Sequence, residues 1–240
     1  MFHHIVNVIL RSKFCLKSQG QMNRTDYKIV ADCAKYVQHE LKEAEGGHDW
    51  FHIERVWKNA KLIAQNETCD MIIVELAALL HDIADSKFHN GNEDIGPINA
   101  REFLATTHLS SDAVEHIIAI IRNVSFKGGK GAKDNSSIEL EIVQDADRLD
   151  ALGAIGIART FNYGGYKNRT IYDPSILPNL NMTKEEYKAS NAPTLNHFYE
   201  KLLLLKDLMN TSAGKMIAQE RHSFMEVFLS QFYDEWNGKK

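Results

Sequence analysis

Apolar side chains recur at three- and four-residue intervals through most of this chain, as in Val30, Cys33, Val37 and Leu41, and again in Val56, Ala60 and Ile63. That spacing lines one face of an α-helix, whereas the two-residue alternation of a half-buried strand is hard to find. The pattern predicts an all-α chain with helices over about 24–44, 49–65, 70–84, 97–107, 111–123, 137–161, 194–210 and 212–236. The breaks carry turn chemistry: Gly46-Gly47, Asn66, Asn90-Gly91-Asn92, the run KGGKGAKDNSS from Lys127 and NYGGYKNRTIYDPSILPN from Asn162. With 240 residues, 44% of them hydrophobic, one domain over 22–240 can bury a sizeable core. Gly153 and Gly156, three apart within a predicted helix, are expected to let a neighbouring helix pack closely.

Charge and cysteine usage narrow the partners. A formal net charge of −4 with 25% charged residues lacks the basic excess that binding a nucleic-acid polymer requires, so none is expected. Cys15, Cys33 and Cys69 stand far apart without a C-x-x-C pair, which argues against both a disulfide framework and a thiolate zinc site and for a reducing, cytoplasmic setting. The apolar run Ile5–Leu10 is too short to span a bilayer, and Arg11, Lys13 and Lys17 follow it rather than precede it as in a secretory signal. No membrane partner is expected. Residues 1–21 read as a disordered extension, with Met22 as an alternative start. The chain is compatible with a homodimer.

Two polar side chains, His81 and Asp82, stand together near the end of a strongly apolar helix in ELAALLHDIAD. At that position they must be satisfied or removed from the core. A divalent cation would do so, since neutral imidazole and carboxylate are both good ligands and the ion offsets the cost of burying the carboxylate. A local cap or pair is the bland alternative for an isolated dipeptide. Matching partners elsewhere shift the balance. His52 lies at helical spacing from Val56 and Ala60, and Asp147 follows Val143 and Ile142 by four and five residues. Three helices can therefore converge on one ion through His52, His81, Asp82 and Asp147. Two imidazoles and two carboxylates suit manganese, magnesium, iron, cobalt or nickel, and a six-coordinate ion would keep two positions for water and a phosphate oxygen.

In order and spacing, His52, His81-Asp82 and Asp147 resemble the H…HD…D pattern of the HD-domain superfamily of metal-dependent phosphohydrolases. GHDWFHIERV, ALLHDIADSKF, VSFKGG, QDADRLDALGAIGIARTFNYGG and TLNHFYEKLLLLKDLMNTSAGKMIAQERHSFM are more narrowly similar to bacterial-type HD hydrolases that include nucleoside triphosphate pyrophosphohydrolases. The likeness runs from about Tyr27 to Trp236. It implies a single-domain helical bundle, a divalent metal, manganese first, on the four residues named, and hydrolysis of a small phosphoester or phosphoanhydride, with a nucleotide as the expected substrate. A bound divalent ion would lower the pKa of its water toward neutrality. Asp85, four residues after His81 and three after Asp82, shares their helical face and is the candidate proton-transfer group; its alternative is a solvated carboxylate at a helix end. It also matches an acidic catalytic position of related HD enzymes.

Phosphates need cationic partners, and Lys87, Lys127 and Arg148 lie close in sequence to the metal motifs. His116 is a further candidate substrate contact, with a hydrogen-bonded core histidine as its alternative. Arg55 and Arg159 stand equally as structural ion-pair partners, and Arg221 and His222 stay open. The glycine-bearing Gly128-Gly129-Lys130-Gly131 lacks the spacing of a phosphate-binding P-loop. His48 and His52 form an H-x-x-x-H pair, but a zinc peptidase reading leaves His81, Asp82 and Asp147 unexplained; His48 and Asp49 fit better as a helix cap or at a pocket mouth. The competing functions are a phosphodiesterase acting on a cyclic nucleotide or alarmone, and a non-catalytic module that binds metal or nucleotide.

Overall fold

A computed structural model of the chain describes residues 22–42, 49–84, 92, 94–124, 136–183, 186 and 189–240. Among them the regular structure is all helical: α1 (Arg24–Glu40), α2 (Trp50–Ala64), α3 (Met71–Leu80), α4 (Ile95–Leu104), α5 (Ser111–Val124), α6 (Ile138–Asp150), α7 (Gly153–Tyr166), α8 (Asn196–Glu200), a 3-10 segment (Leu202–Leu208) and α9 (Ser212–Trp236). No helix among the described residues is long and apolar enough to cross a membrane. Residues 1–21 lie outside the described residues.

The helix starts follow from short polar side chains that satisfy orphan amides. Asn23 accepts from the amides of Thr25 and Asp26, while Asp26 returns a bond to the Asn23 amide. Asp49, Asp70, Ser137 and Thr211 cap α2, α3, α6 and α9 in the same manner.

At the centre lies α3, where every residue from Ile72 to Leu80 is buried. A helix that is apolar nearly all round belongs inside a protein, and α1, α2, α5 and α6 all pack against it. Its one charged side chain, Glu75, accepts a 2.7 Å hydrogen bond from Trp57 Nε1, which satisfies the buried carboxylate. Helices α2 and α6 also pack on each other, and α7 and α9 lie against α6 and one another. Ile53, Val56, Leu76, Leu79, Leu80, Ile142 and Leu149 fill the shared seam, none of them exposed.

Three predicted helices differ from those observed. Helix α3 stops at Leu80, so the His81-Asp82 pair lies in the turn that follows rather than within the helix. The predicted 137–161 helix is two, because Gly153 adopts φ +68°, a left-handed backbone that ends one helix and begins another at a new angle. There a side chain at Gly153 would meet Arg221 of α9, so the glycine does admit a neighbouring helix; a side chain at Gly156 would instead strike the Ala151 carbonyl in the α6–α7 turn. The predicted 194–210 helix breaks at Lys201, with φ −144°, into α8 and the 3-10 segment.

Candidate metal centre

Each ligand candidate is delivered by one helix of the central trio. Asp49 Oδ1 accepts from the His52 amide at 2.9 Å, which fixes His52 in the first turn of α2. His81 directly follows α3, its backbone still in the right-handed helical region. Asp147 lies on α6, three residues before its end. His52 is 3% exposed, whereas the Asp147 side chain is 36% exposed, so the site is walled on one side and open on the other.

His52 Nε2 lies 3.5 Å and His81 Nε2 3.9 Å from Asp147 Oδ1, and one ligand atom from each of the three falls within 4.8 Å of the others. These gaps exceed a hydrogen bond. They fall between the ~3 Å and ~4.2 Å separations of neighbouring and opposite ligands on an ion with bonds near 2.1 Å.

The ring tautomers sharpen the fit. His52 Nδ1 is 2.8 Å from Asp150 Oδ2, and His81 Nδ1 is 2.9 Å from the Ala78 carbonyl. A carboxylate and a carbonyl only accept, so Nδ1 carries the proton in both rings, and a neutral imidazole then turns its Nε2 lone pair toward Asp147. Two such lone pairs and a carboxylate converging on one point repel each other unless a proton or a metal cation sits among them. The donor set therefore suits a divalent metal on an independent physical ground.

Asp82, in the turn beside His81, is half-buried and stands outside this trio. Asp85, Lys87 and Lys127, like His48, lie outside the described residues. His116 is not brought to the trio. Its Nε2 lies 2.9 Å from Ser137 Oγ at the start of α6, roughly 15 Å along the helix axis from Asp147 at 1.5 Å per residue. Arg148 points elsewhere too, donating to the Leu208 carbonyl at 2.7 Å and to Asp145 at 3.3 Å. Asp49 is the cap expected of it.

Two acidic residues escaped the sequence reading. Asp150, 1% exposed, accepts from His52, from Arg55 Nε and Nη2 at 2.6 and 3.0 Å, and from Arg159 at 2.5 Å. Burial pushes its carboxyl up, but the hydrogen bonds from His52 and Arg55 and the charge of Arg159 together hold it well below the ordinary carboxylate range. Arg55 and Arg159 are thus the ion-pair partners foreseen. A signal was present: Arg55 follows His52 by three residues, as Asp150 follows Asp147, so α2 and α6 each turn two polar groups toward one seam. Asp145, fully buried, accepts from the amides of Asn210 and Thr211. Arg221 of α9 donates to the Leu149 carbonyl and to Asn59, which closes the open end of α6.

Comparison with known proteins gives the family. Residues 50–152 match the model of the HD domain family. The Bacillus subtilis protein YpgQ is 39% identical over 86% of this chain and 93% of its own length. The crystal structure of an HD-superfamily hydrolase from Bacillus thuringiensis is 45% identical, with a TM-score of 0.72 over 89% of this chain and 99% of that one. A crystal structure of YpgQ in complex with ADP superposes with a TM-score of 0.68 at 33% identity, covering 88% of this chain and 96% of YpgQ. The three helices that deliver the candidate ligands fall inside the matched segment, and the likeness to whole relatives extends through α9: this chain belongs to the HD-domain family.

Proposed function

We propose that the protein is a divalent-metal-dependent phosphohydrolase that cleaves a phosphoanhydride or phosphoester bond of a nucleotide. The observation that carries this reading is the convergence of the His52 and His81 Nε2 atoms on Asp147 Oδ1 at 3.5 and 3.9 Å, with both Nδ1 atoms already donating elsewhere. Asp82, beside His81, is the proposed fourth ligand. Manganese is the first candidate for the ion, with magnesium, iron, cobalt or nickel as substitutes that the same nitrogen and oxygen donors accept. When bound, such an ion supplies a water of lowered pKa and polarises a phosphoryl oxygen.

The chain's own groups divide the remaining work. His52 and His81 hold the ion without adding charge, so Asp147 and Asp82 leave it close to neutral and a phosphate oxygen can approach. Asp85 is the proposed proton carrier, three residues from Asp82. Lys87 and Lys127 are the proposed phosphate partners. The ADP bound to YpgQ supports a nucleotide as the substrate class. The half-exposed Asp147 supports access from solvent to the open side of the site.

The deciding experiment measures phosphate and pyrophosphate release from nucleoside mono-, di- and triphosphates, cyclic nucleotides and simple phosphate esters, with Mn2+ and with chelator. Metal-dependent release from nucleotides is expected. Cleavage confined to cyclic nucleotides would favour a phosphodiesterase. No turnover by metal-replete protein on any of these compounds would overturn the hydrolase reading in favour of a binding module.

A further inference from the structure

We infer that Asp150 is a positioning residue of the metal centre, fixing both the tautomer and the ring orientation of His52 from behind; this rests on the metal reading above. His52 is nearly inaccessible, and its Nδ1 points away from the trio onto Asp150 Oδ2 at 2.8 Å. A free neutral imidazole favours the other tautomer, with the proton on Nε2, and that form has no lone pair to offer an ion in this site. The carboxylate of Asp150 reverses the preference, because it accepts a hydrogen bond from Nδ1–H and has no proton of its own to donate.

The carboxylate is itself immobilised. Arg55 grips it side-on through Nε and Nη2, and Arg159 donates to Oδ2 at 2.5 Å and to the Asp150 carbonyl at 3.2 Å. Those arginines come from α2 and α7, so Asp150, on α6, is held from two helices while it holds a ligand on one of them. Arg55 stands one turn beyond His52 on α2, and the pair straddle one carboxylate like two pins of a hinge. Neither arginine meets a ligand atom in these contacts, and both place a positive charge beside the carboxylate. Those charges compensate the desolvation of a carboxylate that keeps its charge in the interior. A group whose only task was to join α6 to α7 would need Arg159 alone; the additional bond to a ligand imidazole is the geometry by which outer groups orient metal-bound histidine and raise its basicity.

Two measurements test this. Nitrogen NMR of the histidine rings in metal-free wild-type protein is expected to show His52 protonated on Nδ1. A His52 ring protonated on Nε2 overturns the proposal, and this arm needs no variant to fold. Mn2+ titration then compares Asp150→Asn with Gly164→Ala in α7, whose added methyl would press on Thr194 and which changes no group bonded to Asp150. Asp150→Asn is expected to weaken Mn2+ binding ~10- to 100-fold, the usual effect of losing such an outer partner. Gly164→Ala is expected to lower thermal stability while Mn2+ affinity stays within ~3-fold. Equal Mn2+ affinity in Asp150→Asn and wild type, or equal losses in both variants, assigns Asp150 a purely structural role and overturns the proposal. Failure of the wild-type protein itself to bind Mn2+ would instead overturn the metal reading, while the tautomer measurement stands apart from it.

Discussion

Thr211 holds the carboxylate of Asp145 through both its amide and its hydroxyl, each 2.8 Å from Oδ2. Asn210 adds its own amide at 2.8 Å from Oδ1, so a fully buried aspartate on α6 fastens the start of α9, 66 residues away in sequence. Burial pushes this carboxyl up, and the donated bonds oppose that rise. The approach is close because residue 214 has no side chain: a methyl there would lie 2.4 Å from Asp145 Oδ2 and 2.8 Å from Thr211 Oγ1. Gly214→Ala should therefore destabilise the fold by about 2–4 kcal/mol, the scale of overpacking joined to a disturbed buried hydrogen-bond network. Thermal unfolding should show a fall in Tm of roughly 5–15 °C. An unchanged Tm would mean that α9 moves aside without cost.

His81→Ala removes one of two imidazoles from a three-atom cluster and leaves α3 intact, since the residue follows the helix. Mn2+ affinity should fall at least ~100-fold, a loss in line with removing a direct ligand when outer partners alone are worth 10- to 100-fold. Hydrolysis should fall with it while helical circular dichroism is unchanged. Equilibrium dialysis with a paired spectrum gives both readings, and full metal content in the variant would exclude His81 as a ligand.

Asp85→Asn separates metal binding from proton transfer. The variant should retain Mn2+ and lose roughly 100-fold in kcat, within the usual contribution of a general acid or base. Unchanged kcat at saturating metal would return Asp85 to the role of a surface carboxylate.

His197 makes the protein sensitive to mild acid. Burial, with the nearby Lys201 and Arg169 charges, pushes its imidazole down to about 4. An unfolded histidine protonates near 6.5. Between these values the unfolded state binds the extra proton, so stability is complete above pH ~6.5 and declines as pH falls toward 4, by up to on the order of 2–3 kcal/mol. His197→Gln should flatten that decline in denaturant midpoints measured from pH 7 to 4. A slope identical to wild type would place the acid sensitivity elsewhere.

The heptapeptide QDADRLD shows how far the sequence was legible. Asp147 was identifiable because Val143 and Ile142 precede it at helical spacing and because two histidines elsewhere needed a partner. Asp150, three residues after it, shares its helical face, whereas Asp145, two before it, does not. Their roles depend on groups distant in sequence: Thr211 lies 66 residues beyond Asp145, and His52 lies 98 residues before Asp150. Periodicity reports which face of a helix is inward; it does not say which remote donor waits there. The same limit explains Arg148, adjacent in sequence to Asp147, and His116: their hydrogen bonds go to Leu208 and Ser137. Helix existence and order followed from apolar spacing, while the breaks at Gly153 and Lys201 depended on single backbone angles that the spacing does not encode.

Arg221 gives the site a boundary wider than its motif. The segment 50–152 contains every residue of the metal trio, together with Asp150 and Arg55. Yet the carbonyl of Leu149, one residue before Asp150, is answered by a guanidinium from α9, which also holds Asn59 on α2. Excised at residue 152, the motif would lose the cation that closes α6, the donors on Asp145 and the Arg159 clamp in a single cut. A piece of the chain that keeps this arrangement must therefore reach beyond the matched segment and into α9, past Arg221.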